Sequence, residues 1–128
     1  MLKAARIAAW LLSATIVVAS LVPPELRPTT DAPHDLEHFA IYAATGLAFG
    51  LGYGSRYPVT IAMVIFAGAI EVAQLFVPGR HARLSDFMVD ALAACIGLAA
   101  SHVLMRKSKR YSIPVSHVNT RTTDTDSG

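Results

Sequence analysis

Acidic and amide side chains interrupt two apolar segments of this sequence at positions where they could form one polar site. Glu71 and Gln74 lie near the end of one segment, and Asp90 lies near the start of the next. Helical residues three or four positions apart share a face, so Glu71 should lie beside Gln74, and Asp86 should share a face with Asp90 in the same way. Because ionisable groups in membrane segments are costly and usually functional, residues 71–90 are predicted to contain most of the site.

The turn between these two segments adds cationic groups. Arg80 and Arg83 lie in this turn, and arginine suits bidentate contact with phosphate or carboxylate groups. Two carboxylates together with a histidine also suit general acid–base catalysis. The residue types therefore predict either binding of a polar or anionic headgroup or acid–base chemistry on such a group.

Composition places the chain among membrane proteins. Of its 128 residues, 53% are hydrophobic and 16% are charged, and the lysines and arginines collect in the connections and at the ends. This segregation is typical of a polytopic membrane protein, and the length allows one domain. The net charge of +2 is small and the basic residues are dispersed, which argues against a nucleic-acid partner.

Four apolar runs predict an all-α membrane domain over residues 1–105, built as a bundle of four short transmembrane helices. The predicted helices cover about residues 5–22, 37–54, 59–77 and 86–105. Pro23–Pro24 separates the first helix from the second, and Pro78–Gly79 separates the third from the fourth. The first run also has the basic start and apolar core of a signal peptide, but as an uncleaved helix it completes an even bundle. Residues 106–128 are predicted to be a basic and then disordered cytoplasmic tail.

Small residues predict which helices pack closely. Gly46, Gly50 and Gly54 recur every four positions along the second run, and Ala93, Gly97 and Ser101 do so along the fourth. In lipid, such faces let two helices approach closely. We therefore predict that the second and fourth helices pack together, and a helix-mediated oligomer is a further expectation.

Basic residues predict the orientation in the membrane. With four spans, both chain ends and the turn after the second helix lie on one side. That side carries most of the basic residues, namely Lys3, Arg6, Arg56, Arg106, Lys107, Lys109 and Arg110. The positive-inside rule then makes both termini cytoplasmic in a multi-pass protein of the plasma (inner) membrane, so the turn with Arg80 and Arg83 faces outward.

This orientation brings distant residues to one membrane level. The second helix begins at the outer boundary with His38, and Tyr42 lies one turn deeper. The predicted ligand-binding residues are His38, Tyr42, Glu71, Gln74, Arg80, Arg83, Asp86 and Asp90.

At these residues the chain resembles the VanZ-like family of small integral membrane proteins, over roughly residues 35–102. The matching motifs are His38-Phe39-x-x-Tyr42, Glu71-x-x-Gln74, Pro78-Gly79-Arg80, Ser85-Asp86 and Gly97. The chain departs from the family at Glu37, where a basic residue is usual, and at Asp90-Ala91, where asparagine and glycine are usual. The resemblance implies a four-helix membrane protein whose namesake is linked to glycopeptide-antibiotic resistance, and it supplies no reaction.

Four functions fit these observations. The leading hypothesis is binding of an envelope ligand, with membrane lipids and a cell-envelope precursor or glycopeptide as the expected partners, and with no cofactor or metal. An intramembrane enzyme acting on a lipid-linked phosphate would use Glu71, His38 and Asp86, either directly or, less strongly indicated, to hold a divalent metal. The polar residues could instead only join the helices of a structural subunit. A proton-coupled exporter is the fourth hypothesis.

Overall fold

The computed structural model describes residues 2–22, 34–78 and 83–111, which form four α-helices. In chain order these are α1 (Leu2–Leu21), α2 (His34–Tyr53), α3 (Tyr57–Gln74) and α4 (Leu84–Tyr111). The described residues contain no strand. The prediction of an all-α protein with four helices is confirmed.

Local signals explain where the middle helices begin and end. Gly54 follows α2 with φ 86°, and its N–H donates to the Gly50 carbonyl at 2.9 Å, which is the usual arrangement of a glycine that terminates a helix. Arg56 then adopts an extended conformation, and Pro58 lies in the first turn of α3, where its missing N–H costs nothing. Gly54 therefore belongs to the turn, and its predicted place on the glycine face of α2 is wrong.

The fourth helix differs most from its predicted bounds. It begins at Leu84, ahead of the predicted start at 86, because the Arg83 carbonyl accepts the N–H groups of Asp86 and Phe87 at 3.0 and 3.2 Å. It also continues past the predicted end at 105 to Tyr111. The first residues of the predicted basic tail, including Arg106 and Lys107, are thus helical. Residues 112–128 lie outside the described part of the chain.

Helix α2 occupies the centre of the bundle. It packs most extensively against α4 and next against α1, whereas α3 packs mainly against α4. The buried core joins all four helices through Ile16, Tyr42, Met63, Ala67, Ile70, Ala93, Ala94 and Leu98.

Glycines permit the close contact of α2 with α4. A Cβ atom at Gly46 would overlap the carbonyl oxygen of Ala94, and one at Gly97 would overlap that of Ala43. At Gly50 the conflict would be with the Ser101 side chain. The two small-residue faces therefore meet, as the sequence predicts.

The outer surface of the bundle is apolar. Trp10, Leu11, Ile65, Val72 and Leu92 are all more than half exposed, whereas the buried residues include His38, Glu71 and Asp90. By length and composition, α1, α3 and residues Leu84–Ser108 of α4 could each cross a membrane. Helix α2 is not among them. The chain is a membrane protein, and the crossing by α2 and the side on which the termini lie stay predictions.

Candidate functional site

The centre of the predicted site is a side-chain contact between α2 and α4. His38 Nδ1 lies 3.2 Å from Asp90 Oδ1 and 3.3 Å from Asp90 Oδ2. His38 is 8% exposed and Asp90 is fully buried. Since an ionised carboxylate can only accept hydrogen bonds, Nδ1 carries the proton and donates. Asp90 thus has a defined partner.

Tyr42 lies one helical turn below His38 and faces the same cluster. Its ring is stacked on that of His38, with the centroids 6.4 Å apart, and the residue is 1% exposed. Its hydroxyl lies close to Asp90 and Glu71. It nevertheless has no hydrogen-bond partner of good geometry among the described residues.

The last turn of α3 supplies Glu71 and Gln74, which are 6% and 4% exposed. Glu71 Oε2 accepts the backbone N–H of Arg83 at 3.3 Å, so this carboxylate joins the end of α3 to the start of α4. Its second oxygen, Oε1, and the amide nitrogen Nε2 of Gln74 have no hydrogen-bond partner within the described segments. A buried donor and a buried acceptor thus lie on one face of α3.

The start of α4 forms the edge of the site. Asp86 is partly buried and accepts a hydrogen bond from the Ser85 hydroxyl at 2.9 Å, and it lies near Glu71. Arg83 is exposed, and it reaches Glu71 through its backbone rather than its guanidinium group. Arg80 lies outside the described residues.

The structure therefore brings together five of the predicted residues, His38, Tyr42, Glu71, Gln74 and Asp90, with Asp86 beside them. We call these six residues the polar cluster. Of the two predicted arginines, Arg83 is not among its buried members. The backbone contact of Arg83 was missed, because a sequence marks arginine by its side chain and carries no signal for a particular N–H group.

Thr45, one turn beyond Tyr42, is a buried polar residue of a different kind. It is fully buried, but its hydroxyl donates to the Ile41 carbonyl at 2.7 Å. A side chain satisfied by its own helix has no group left to offer a ligand. The polar cluster therefore ends at Tyr42 on α2.

The polar cluster offers donors and acceptors in a water-poor setting. Unpartnered buried polar groups are rare in proteins, and each needs an explanation. Three such groups lie near the His38–Asp90 pair. Glu71 offers an acceptor oxygen, Gln74 offers an amide donor, and the Tyr42 hydroxyl can donate or accept. Such a set can bind a hydrogen-bonding headgroup, and the histidine can also serve as a proton acceptor.

A metal site is not supported by this arrangement. Among residues 2–22, 34–78 and 83–111, no three His, Cys, Asp or Glu side chains are placed so that they could hold a metal ion. The alternative of a divalent metal held by His38, Glu71 and Asp86 therefore has no geometric basis.

Comparison with known proteins identifies one family. The VanZ/LLP1 family model matches residues 8–105, which extends from α1 to α4 and includes every described member of the polar cluster. No significant match was found among curated proteins or among solved structures.

Proposed function

Because the chain belongs to the VanZ/LLP1 family, we propose that it is a multi-pass protein of the plasma membrane that binds a polar headgroup in the polar cluster. The headgroup is one that offers hydroxyl or amine groups for hydrogen bonding. Envelope lipids, cell-wall precursors and glycopeptides share this chemistry. A role in the cell envelope or in glycopeptide resistance would follow from such binding.

The observation that carries this proposal is the set of unpartnered polar atoms at Tyr42, Glu71 and Gln74. Polar groups that only hold membrane helices together do so by bonding to one another, and each such bond contributes about 0.6 kcal/mol on average. These three atoms make no such bond among the described residues. Leaving them buried costs roughly 1–3 kcal/mol each, a cost that a ligand's hydrogen bonds would offset.

The composition of the polar cluster limits the part of the ligand that enters it. Its buried acidic side chains are Glu71 and Asp90, with His38 as the basic partner. A phosphate placed among these carboxylates would be repelled. The hydroxyl or amine part of a headgroup therefore enters the cluster, and an anionic part stays at the edge near the exposed Arg83.

The test is native mass spectrometry of the full chain released from membranes. We expect a co-purifying polar lipid or precursor that falls about tenfold in Glu71→Gln. Glu37→Gln is the matched control, since Glu37 is a partly buried glutamate of α2 that is not in the polar cluster. Equal ligand retention in both folded variants would overturn the proposal. Adding lipid, cell-wall precursor or glycopeptide separately identifies the source of the headgroup.

The His38–Asp90 contact favours a second candidate, an intramembrane hydrolase or transferase acting on a lipid-linked phosphate. An aspartate that holds a histidine in one tautomer is a common way to prepare a general base. In this case His38→Gln would abolish turnover of a lipid-linked phosphate, while ligand retention would persist. Equal turnover by the original chain and by His38→Gln or Glu71→Gln would exclude catalysis by this cluster.

A further inference from the structure

A second candidate site lies toward the opposite end of α2 from the polar cluster. A cavity of about 470 Å³ lies between α1 and α3, and residues of α2 also line it. It lies where α3, which packs mainly against α4, has little contact with either α1 or α2. The residues that define it are Trp10, Phe49, Tyr53, Ala62, Met63 and Phe66. Its volume lies within the range of small-molecule sites, about 300–1,000 Å³.

The cavity has a hydrocarbon character, because its polar atoms are already bonded within the protein. The Ser13 hydroxyl donates to the Ala9 carbonyl at 2.9 Å. The indole N–H of Trp10 donates to the Tyr53 hydroxyl at 3.0 Å. The remaining lining is aromatic and aliphatic. A polar ligand would lose its hydration in this cavity without gaining hydrogen bonds.

The rim of the cavity lies on the outer surface of the bundle. Trp10 is 61% exposed and Tyr53 is 40% exposed, and Ala62 is also exposed. Because α1 and α3 are both apolar enough to cross a membrane, this surface faces lipid. An occupant would therefore enter from the bilayer.

Two arginines lie near the wall of the cavity. Arg6 Nε donates to the Gly52 carbonyl at 2.9 Å, and its guanidinium group lies 4.8 Å from the centre of the Tyr53 ring. Arg56 is exposed and directly precedes α3, near Pro58 of the cavity wall. Two cations beside a hydrocarbon cavity complement a molecule with an apolar tail and an anionic headgroup.

We propose that this cavity binds one acyl chain of an anionic phospholipid whose headgroup contacts Arg6 and Arg56. The site is separate from the polar cluster, since Phe66 lies between the cavity and Tyr42, with the two rings 6.4 Å apart. It belongs to the leaflet that contains the start of α1. The polar cluster and this lipid site can thus be tested independently.

The chain carries its own reporter, because Trp10 is its only tryptophan. Bromine atoms on an acyl chain quench indole fluorescence only at short range. We would titrate the full chain in detergent micelles with phosphatidylglycerol brominated on its acyl chains, and with brominated phosphatidylcholine as the neutral lipid. Saturable quenching at about one lipid per protein is expected, with tighter binding of phosphatidylglycerol.

Substitutions in the chain distinguish the contribution of the acyl tail to binding from that of the headgroup. Ala62→Phe should fill the cavity and weaken binding of both lipids by about tenfold. Ala69→Phe is the matched control, since Ala69 is an exposed alanine about two turns further along α3 that does not line the cavity. Arg56→Gln should remove most of the preference for phosphatidylglycerol and leave phosphatidylcholine binding unchanged.

The fluorescence of each variant is normalised to its fluorescence in unbrominated lipid. Circular dichroism checks that the variant is folded. If Ala62→Phe does not fold, Ala62→Leu replaces it. Quenching that rises in proportion to the bulk lipid fraction, and equally in Ala62→Phe and Ala69→Phe, would overturn the proposal. Trp10 would then contact only the surrounding lipid and no lipid bound in the cavity. A dimer in sedimentation experiments that Ala62→Phe disrupts would also overturn it, because the cavity would then be an interface between two copies.

Discussion

His38 and Asp90 lie 52 positions apart in the chain, yet their side chains meet in the interior of the bundle, with Nδ1 3.2 Å from Oδ1. Asp90 is fully buried, so the contact replaces water for both groups. It ties the first turns of α2 to those of α4 at the level of the polar cluster. The N–O distance is at the long end of the usual range, which suggests a bond of modest strength.

The first prediction concerns the acceptor in this pair. Asp90→Asn should retain stability, because the amide oxygen can still accept from His38 Nδ1. Asp90→Ala should lower the free energy of unfolding by about 1–3 kcal/mol, since the buried Nδ1–H of His38 loses this acceptor. Unfolding in mixed micelles measures both. In the double variant with His38→Phe the cost of Asp90→Ala should largely disappear, and additive effects would contradict the pairing.

The second prediction concerns the contact of α2 with α4. Gly97→Ala should lower the free energy of unfolding by about 1–3 kcal/mol, because the new methyl group meets backbone atoms of Ala43 and Leu47. Gly68→Ala is the matched control on α3, where the nearest atom is 3.5 Å away on the flexible side chain of Phe87. It should raise stability by roughly 0.5–1 kcal/mol. Equal effects of the two substitutions would mean that α2 and α4 are not in close contact.

The third prediction concerns orientation. Cys95 is the only cysteine, so a Cys95→Ala background allows single thiols to be placed at will. We expect a membrane-impermeant thiol reagent to label Pro78→Cys in intact cells and Lys107→Cys only after permeabilisation. Both positions are exposed. The reverse pattern would place the polar cluster on the cytoplasmic side.

The helices and their main contact could be predicted from the sequence, because both depend on patterns that repeat along the chain. The apolar runs predict four helices, and Gly46 and Gly97 indicate the faces that meet. The same logic failed at Gly54, where the four-residue repeat continues but the helix ends at Tyr53. A regular spacing of glycines does not reveal whether a particular glycine is needed for a backbone conformation with positive φ or for close contact between two helices.

The membrane level of the polar cluster stays a prediction. The sequence does predict that the residues of the cluster lie at one height along the bundle, because helical rise fixes their height. It does not predict the contacts among them. Whether Asp90 meets His38 or Tyr42 depends on how α2 and α4 are rotated about their own axes, which short sequence spacings do not determine. The sequence likewise predicts a role for the guanidinium group of Arg83, but the atom of Arg83 that contacts Glu71 is the backbone nitrogen.

The fourth prediction separates a binding site from a structural one at Tyr42. Its hydroxyl is buried without a hydrogen-bond partner among the described residues, so Tyr42→Phe should raise the free energy of unfolding by about 1 kcal/mol. The same change should weaken headgroup retention in native mass spectrometry, because one ligand contact is lost. Tyr57→Phe is the control, since Tyr57 is exposed and lies in neither the polar cluster nor the lipid cavity. Lower stability of Tyr42→Phe with unchanged retention would assign the hydroxyl to the scaffold.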